Sequence, residues 1–337
     1  MTILCGLALP EFEAFAATQG WPKFRGRQIS EWIFRKGAES FAAMPNLPKG
    51  LRERLPSIAS IFSGAIVEDL RSKDGTRKFL LGFGDDARVE CVAIPDEQRV
   101  TFCLSSQSGC PVGCAFCATG QGGFVRNLAA SEIIEQFLRL KKACGRPTNV
   151  VFMGMGEPLL NLDAVVKAIE ILNDDRLGAV GCRRMTLSTV GLPDLEERLR
   201  RLPIPIHLAI SLHAVNDEAR KRLVPHNPVG GVASLVRAAK WYLEETGREV
   251  TFEYTLLAGV NDRPSDAHAL ADLLAEVQSR VNLIPYNAVP GAKFASPPER
   301  DVLAFEGILR TRGLNAMIRR RRGDDVSAAC GQLAFRR

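Results

Sequence analysis

The stretch Val100-Thr-Phe-Cys103-Leu-Ser-Ser-Gln-Ser-Gly-Cys110-Pro-Val-Gly-Cys114-Ala-Phe-Cys117 decides how the rest of the chain is read. Its opening, Val100 to Leu104, is apolar and partly β-branched, the composition of a buried strand. The loop that follows carries three cysteines in the spacing C-x3-C-x2-C. Three thiolates so placed can ligate three corners of a cubic [4Fe-4S] cluster and leave the fourth iron open to a ligand from outside the protein. A structural zinc site ordinarily takes four protein ligands, and no fourth Cys or His stands near these three. A catalytic zinc with three protein ligands remains as the alternative.

Towards the C-terminus, strand-like runs alternate with amphipathic segments at intervals suited to βαβ units. The strand candidates are Val100 to Leu104, Asn149 to Met153, Arg184 to Ser188, Ile206 to Ile210, Val250 to Leu256 and Val281 to Pro285. Helix candidates between them are Ser131 to Ala143, with Ser131 as N-cap, Leu162 to Leu172, Val232 to Thr246 and Ser265 to Val277. The pattern predicts an α/β fold with a parallel sheet, either open or curled into a partial barrel. Both forms gather ligands at the C-terminal ends of the strands. The expected rim carries Gly154-Met-Gly156-Glu157-Pro158, where glycines admit a close backbone approach and Glu157 can accept hydrogen bonds from an ammonium group. Ser188, Ser211-Leu212-His213 and Asn287 fall on the same rim, and their convergence argues for a binding site.

Towards the N-terminus, residues 1–90 read as a separate module, helical and punctuated by Pro22, Pro45, Pro48 and Pro56, then closing in a strand pair at Lys78 to Phe83 and Arg88 to Ile94. The catalytic core is then expected over residues 91–337. A length of 337 residues fits one large domain with something appended, and 46% apolar with 24% charged residues is ordinary globular composition. Met1 to Pro10 lacks a basic segment and runs into Pro10 and Glu11, so neither a secretory signal nor a membrane span is expected and the cytoplasm is the default. Clustered cysteines in a reducing compartment point to metal or redox chemistry. Both ends are basic: eight Lys and Arg against three Glu between Trp21 and Leu55, and eight arginines, Arg319 to Arg322 among them, against Asp324 and Asp325 from Leu309 onward. Such patches suit a polyanion such as RNA.

These motifs together resemble the RlmN/Cfr class of radical-SAM RNA methyltransferases. The resemblance covers nearly the whole chain: Phe24-Arg-Gly-Arg-Gln-Ile29, Val89-Glu90 before Ile94-Pro95, Cys103-Leu-Ser-Ser-Gln107 with the three cysteines, Gly154-Met-Gly-Glu-Pro158, and Arg322-Gly-Asp-Asp-Val-Ser-Ala-Ala-Cys330-Gly-Gln-Leu333. It implies a partial (β/α)6 barrel with a small N-terminal helical module and a basic C-terminal segment. It implies a [4Fe-4S] cluster on Cys110, Cys114 and Cys117. It also implies S-adenosylmethionine held by Gly156, Glu157, Ser188, Ser211, Leu212, His213 and Asn287.

The reaction implied is methylation of an adenine ring carbon that is too poor a nucleophile for ordinary displacement. By the resemblance, Cys330 carries the methyl group, Cys103 resolves the covalent adduct as a disulfide and Glu90 is the base. An exposed strand glutamate and a buried apolar cysteine are the plainer readings of Glu90 and Cys103. Glu157-Pro158 and the Arg-Gly-Asp-Asp run look like the branch that methylates carbon 2 of an adenosine in 23S rRNA and of the adenosine 3′ to the tRNA anticodon. Carbon 8 methylation, as in the Cfr branch, and a non-catalytic iron-sulfur RNA-binding protein are the alternatives. The partners implied are 23S rRNA, tRNA and an electron donor such as flavodoxin or ferredoxin, with the chain a monomer and no membrane involved. Cys5, Cys91, Cys144 and Cys182 match no motif and read as structural.

Overall fold

A computed structural model describes residues 1–225 and 231–334. The N-terminal helices α1 (Leu9–Thr18), α2 (Lys23–Phe34) and α3 (Lys49–Ile58) bury Phe12, Ile29, Ile33 and Leu55 between them. Their two ends are tied by a short parallel pairing of Thr2–Ile3 with Ala59–Ser60. The chain then enters a ten-stranded sheet through β1 (Gly64–Arg71), β2 (Arg77–Phe83) and β3 (Arg88–Asp96), joined antiparallel. Seven parallel strands follow: β4 (Arg99–Cys103), β5 (Asn149–Phe152), β6 (Met185–Thr189), β7 (His207–Ser211), β8 (Val250–Leu256), β9 (Ser279–Pro285) and β10 (Asn315–Ile318). Spatial order repeats chain order from β1 to β10, so the sheet is open-ended with β1 and β10 at its edges.

Parallel neighbours need a crossover, and helices supply it. After the short α4 (Ala118–Gln121) come α5 (Ala130–Cys144), α6 (Leu162–Asn173), α7 (Leu195–Arg200), α8 (Asp217–Leu223), α9 (Val232–Thr246), α10 (Pro264–Leu274) and α11 (Glu299–Thr311). Six β/α units and a closing strand make the partial barrel that the sequence pattern implied.

All six expected strands are present within a residue or two of their predicted limits. β1 and β10 were not anticipated: β10 is a four-residue run with an exposed Met317, and β1 is largely exposed along an edge. The N-cap expectation for Ser131 is corrected, because α5 starts at Ala130 and the Glu132 carboxylate reaches back to accept from the Ala129 N–H at 2.8 Å. α10 stops at Leu274, three residues short of the expectation, since Val277 already turns into the approach to β9. The division expected at residue 90 falls inside β3, which is hydrogen-bonded on both sides.

The helical module is pinned to the core by Glu135, fully buried on α5. Its Oε2 accepts from the N–H groups of Ser63 and Gly64, at 2.8 and 3.0 Å, just where the chain enters β1. Glu135→Leu would leave both donors dry and unpartnered, so a loss on the order of 2 kcal/mol is expected. A fall in the denaturant midpoint checks this, and an unchanged midpoint would show that water reaches the two amides.

Candidate active site

β4 ends at Cys103, and the strand-to-loop turn beyond it is held by two side-chain amides that act as surrogate strands. Gln136 of α5 accepts from the Ser105 N–H at 2.8 Å and donates to the Ser105 carbonyl at 3.0 Å. Asn161 donates to the carbonyls of Ser106 and Leu128 at 2.8 and 2.7 Å. Gly109 then turns at φ +76°, where a Cβ would lie 2.0 Å from the Gly123 carbonyl oxygen. The loop itself is clasped by Cys110 N–H to Gly123 and Ala115 N–H to Leu223, at 2.8 and 2.9 Å.

Val112 and Phe116 of this loop bury into a small apolar cluster with Val190, Leu257 and Tyr286, and the three cysteines pack against it. Burial pushes the Cys110 thiol up to about 12 and the Cys114 thiol well above its ordinary range. Among the described residues, no three His, Cys, Asp or Glu side chains converge as one metal ion demands. A [4Fe-4S] cluster takes three cysteine thiolates on three of its irons, and this set of three cysteines against an apolar collar fits that demand.

A cleft of about 960 Å³ opens over the C-terminal ends of β5 to β9 and takes in all three cysteines. Gly156, Glu157, Ser188, Ser211, His213 and Asn287 all line it. Leu212 does not: its side chain is in the core, and its carbonyl accepts from Arg220 Nε at 3.2 Å. Gly156 has φ +103°, and a Cβ there would sit 2.6 Å from Gln107 Cβ, so only glycine fits. The buried Glu157 accepts from the N–H of Leu159 at 3.1 Å and of Val190 at 2.9 Å; burial raises its pKa and these bonds oppose the rise. The Thr189 side chain also bonds to this carboxylate, which lines the cleft. Asn287 gives its Nδ2–H to the Cys330 carbonyl at 3.0 Å, while its buried Oδ1 has no partner. That orphan acceptor faces the cleft and fits a ligand bearing N–H or O–H groups.

His213 holds φ +60°, a left-handed conformation rare for histidine. Its Nδ1 accepts from the Thr255 N–H at 3.0 Å, so the ring hydrogen stands on Nε2, and its edge meets Phe116 with centroids 4.8 Å apart. Burial, reinforced by the nearby Arg220 charge, lowers its pKa to about 3.

A second pocket adjoins the cleft and is lined by Cys103, Cys117, Cys330 and the arginines Arg319 to Arg322. Cys330 lines both spaces. Its segment is docked by Ala118 N–H to the Gly331 carbonyl at 2.8 Å and Thr119 Oγ1–H to the Leu333 carbonyl at 2.5 Å. Burial pushes the Cys103 thiol up to about 12; Cys330 adds to the rise and Arg319 opposes it. Glu90 is no exposed-face glutamate. It is 1% exposed, with Oε1 2.9 Å from Lys78 Nζ and Oε2 accepting from the Ala334 N–H at 3.0 Å.

Arg220, beside the cleft, Glu253, in its wall, and Lys78, against Glu90, were not singled out by sequence reasoning, and Arg319 was read only as part of a basic patch. Arg220 of α8 donates to the carbonyls of Leu212, Val190 and Ser211 and so fixes the ends of β6 and β7. Glu253 lies in the cleft wall 3.9 Å from Arg319, and its Oε2 has no hydrogen-bond partner. A glutamate in the middle of the strand Val-Thr-Phe-Glu253-Tyr-Thr-Leu was a legible signal, since buried parallel strands are otherwise apolar.

The neutral His213 carries a pH consequence. Unfolded, it takes a proton near 6.5; folded, it stays neutral down to about pH 3. The unfolded chain therefore binds more protons in that window, so stability contributed by this group is lost as pH falls through it. His213→Gln is expected to flatten the acid limb of melting temperature against pH. Equal slopes below 6.5 in the two proteins would mean that the folded ring protonates like a free one.

Comparison with known proteins agrees with this geometry. Residues 104–272 match the radical SAM superfamily, and residues 2–61 match the ribosomal RNA large subunit methyltransferase N-terminal domain. A probable dual-specificity RNA methyltransferase RlmN of Thermosynechococcus vestitus is 46% identical over 98% of each chain. The dual-specificity RNA methyltransferase RlmN of Halorhodospira halophila is 44% identical over 98% of this chain and 92% of its own. The crystal structure of a radical SAM methyltransferase from Sphaerobacter thermophilus is 43% identical, with a TM-score of 0.95 over 100% of both chains. With a parallel sheet, a three-cysteine loop and a match from end to end, the chain belongs to the radical SAM superfamily and, within it, to the RlmN family of RNA methyltransferases.

Proposed function

We propose that this enzyme methylates carbon 2 of one adenosine in 23S rRNA and of the adenosine 3′ to the tRNA anticodon, consuming two S-adenosylmethionine molecules. The observation that carries this reading is the position of Cys330 between two spaces, one shared with the three clustered cysteines and the other with Cys103 and four arginines. Dual specificity is the property named for the relatives, and the glycine-Glu loop and Arg-Gly-Asp-Asp run support the carbon 2 branch.

Cys110, Cys114 and Cys117 would hold a [4Fe-4S] cluster, and Gly156, Glu157, Ser188, Ser211, Leu212 through its backbone, His213 and Asn287 would hold S-adenosylmethionine. Bound together, and with an electron from a flavodoxin or ferredoxin, they supply a 5′-deoxyadenosyl radical. The apolar collar of Val112, Phe116 and Tyr286 keeps water from that chemistry. Cys330 would take a methyl group on sulfur; that methyl group would lose one hydrogen atom to the radical, its carbon would bond to the adenine ring carbon, and the adduct would return one electron to the electron carrier. Glu90 would take the ring proton, the Cys103 thiolate would bond to the Cys330 sulfur as the sulfur–carbon bond breaks with its electron pair leaving on carbon, and that carbon would take up a proton to complete the methyl group, leaving a disulfide. Glu90 is covered by the Ala334 segment, so that segment must move for adenine to reach the base.

The helical N-terminal module serves as the RNA-binding accessory in the cytoplasm. Arg25, Arg27 and Lys36 are its proposed phosphate contacts. Arg27 is paired with Glu13 at 2.7 Å and Lys36 with Glu31 at 3.3 Å, so each trades an exposed ion pair for a phosphate at little cost. Arg336 and Arg337 of the C-terminal patch lie outside the described residues.

Three outcomes are expected. Anaerobic reconstitution loads about four irons per chain, and Cys114→Ala abolishes the cluster; full iron and sulfide in that variant would remove the assignment. Cys103→Ala still methylates Cys330 but accumulates a protein–RNA crosslink that survives denaturation and maps to Cys330 by mass spectrometry, whereas normal turnover would make Cys103 a packing residue. Replacing Arg25, Arg27 and Lys36 with Ala lowers the slope of log affinity against log salt by roughly 0.7 to 0.9 per lost phosphate contact. An unchanged slope would leave the patch a solvated face. Chromatography of the product nucleoside against 2-methyladenosine and 8-methyladenosine, which share one mass, separates carbon 2 from carbon 8.

A further inference from the structure

We propose that Lys78 is a positioning residue for the adduct-resolving step, aiming the Glu90 carboxylate through one oxygen while leaving the other for the substrate proton. The proposal rests on the reading of Glu90 as the base. Lys78 is 2% exposed and Glu90 1%, and their charged atoms are 2.9 Å apart. Burying such a pair costs several kcal/mol per ion in desolvation, and a well-packed apolar pair would stabilise the fold as well or better. The surroundings would allow one: Leu80 and Val92, on the same face of the ladder, are both buried.

The register explains how the two side chains meet. Lys78 stands opposite Val92 and Leu80 opposite Glu90 in the β2–β3 ladder, which sets Lys78 and Glu90 on one diagonal of one face. The backbone of Glu90 is also fixed, its carbonyl accepting from Ser105 Oγ at 2.6 Å and its N–H approaching Met155 Sδ at 3.2 Å. The two carboxylate oxygens are therefore unlike. Oε1 faces the ammonium, and Oε2 accepts from the Ala334 N–H of the segment that carries Cys330. Lys78 also donates to the Ser327 carbonyl at 3.1 Å, three residues before Cys330, so one ammonium anchors both the base and the root of the thiol segment.

When the Ala334 segment lifts, Oε2 becomes the free acceptor. The ring C2–H bond breaks, its proton moves to Oε2 and its electron pair stays on the ring; the Lys78 ammonium keeps its own protons and remains on Oε1. An opposite charge this close favours the charged form of any carboxyl, and replacing Lys78 with a neutral side chain removes it from a distance of 2.9 Å. The other titratable neighbours supply no charge: Cys91 on the same strand and Cys103 on β4 are thiols that burial keeps protonated. Met155 and the Ala334 amide are uncharged.

The test uses the reconstituted holoenzyme with its RNA substrate and compares Lys78→Met, Lys78→Gln, Lys78→Arg and Glu90→Gln with the parent. Expected for Lys78→Met and Lys78→Gln is parental formation of 5′-deoxyadenosine and of S-methyl Cys330, then accumulation of the Cys330–RNA adduct. Its resolution should be slowed at least tenfold, against the 10²–10⁴ typical of a lost general base. That resolution should speed up with rising pH more steeply than in the parent, and Lys78→Arg should restore it. A purely structural lysine would not produce a step-specific, pH-recoverable stall. Parental resolution in both neutral variants while Glu90→Gln stalls overturns the proposal and leaves the base reading standing; normal resolution in Glu90→Gln overturns the base reading itself. If neither neutral variant loads iron while Lys78→Arg and Glu90→Gln do, Lys78 is a folding residue and the proposal falls.

Discussion

Parallel strand pairing is the constraint from which the site follows. Each parallel neighbour requires a crossover of one hand, so β4 to β9 all finish on the same side of the sheet. The cysteine loop, the glycine loop, Ser188, Ser211 to His213 and Asn287 leave those ends in succession, and one cleft receives them. Nothing in the local conformation of any one loop would make them meet. The antiparallel strands β1 to β3 extend the same sheet beyond β4 and bring a second row of functional groups, Lys78 and Glu90, to the flank of that cleft.

The rim is held rigid by buried polar groups that bond to backbone instead of to one another. Gln136 and Asn161 satisfy the peptide groups between Cys103 and Cys110, Arg220 satisfies the ends of β6 and β7, and Glu157 caps the turn after the glycine loop. Irregular backbone at the mouth of a sheet cannot pair with a neighbouring strand, and a side chain must do the work that the ladder does elsewhere. The result is a set of loops with little freedom, which suits chemistry in which a misplaced radical abstracts the wrong hydrogen.

The segment around Cys330 is built differently. It forms neither a long helix nor a strand, and it is attached by scattered single bonds to Lys78, Ala118, Thr119, Asn287 and Glu90. Each can break without unravelling an element, so the segment can leave its dock while the sheet stays whole. Such an attachment suits the proposed role of Cys330, which lines two adjoining spaces. The buried charges around it, Lys78 with Glu90 and Arg319 near Glu253, remain fixed on strands or at their ends.

By itself the sequence determined the cluster loop, the six β/α strands and most helix limits, because each depends on spacing within a few residues: three thiols within eight positions, or apolar residues at strand and helix periods. Through motif resemblance it also pointed to Cys103, Cys330 and Glu90 as residues to look for. Only the tertiary structure decided that Cys330 lies beside Cys103, that Lys78 meets Glu90, that Arg220 ties two strand ends together and that Leu212 turns inward while Ser211 and His213 face the cleft. These are contacts between residues far apart in the chain. Strand register and crossover packing select them, and no local propensity encodes either one.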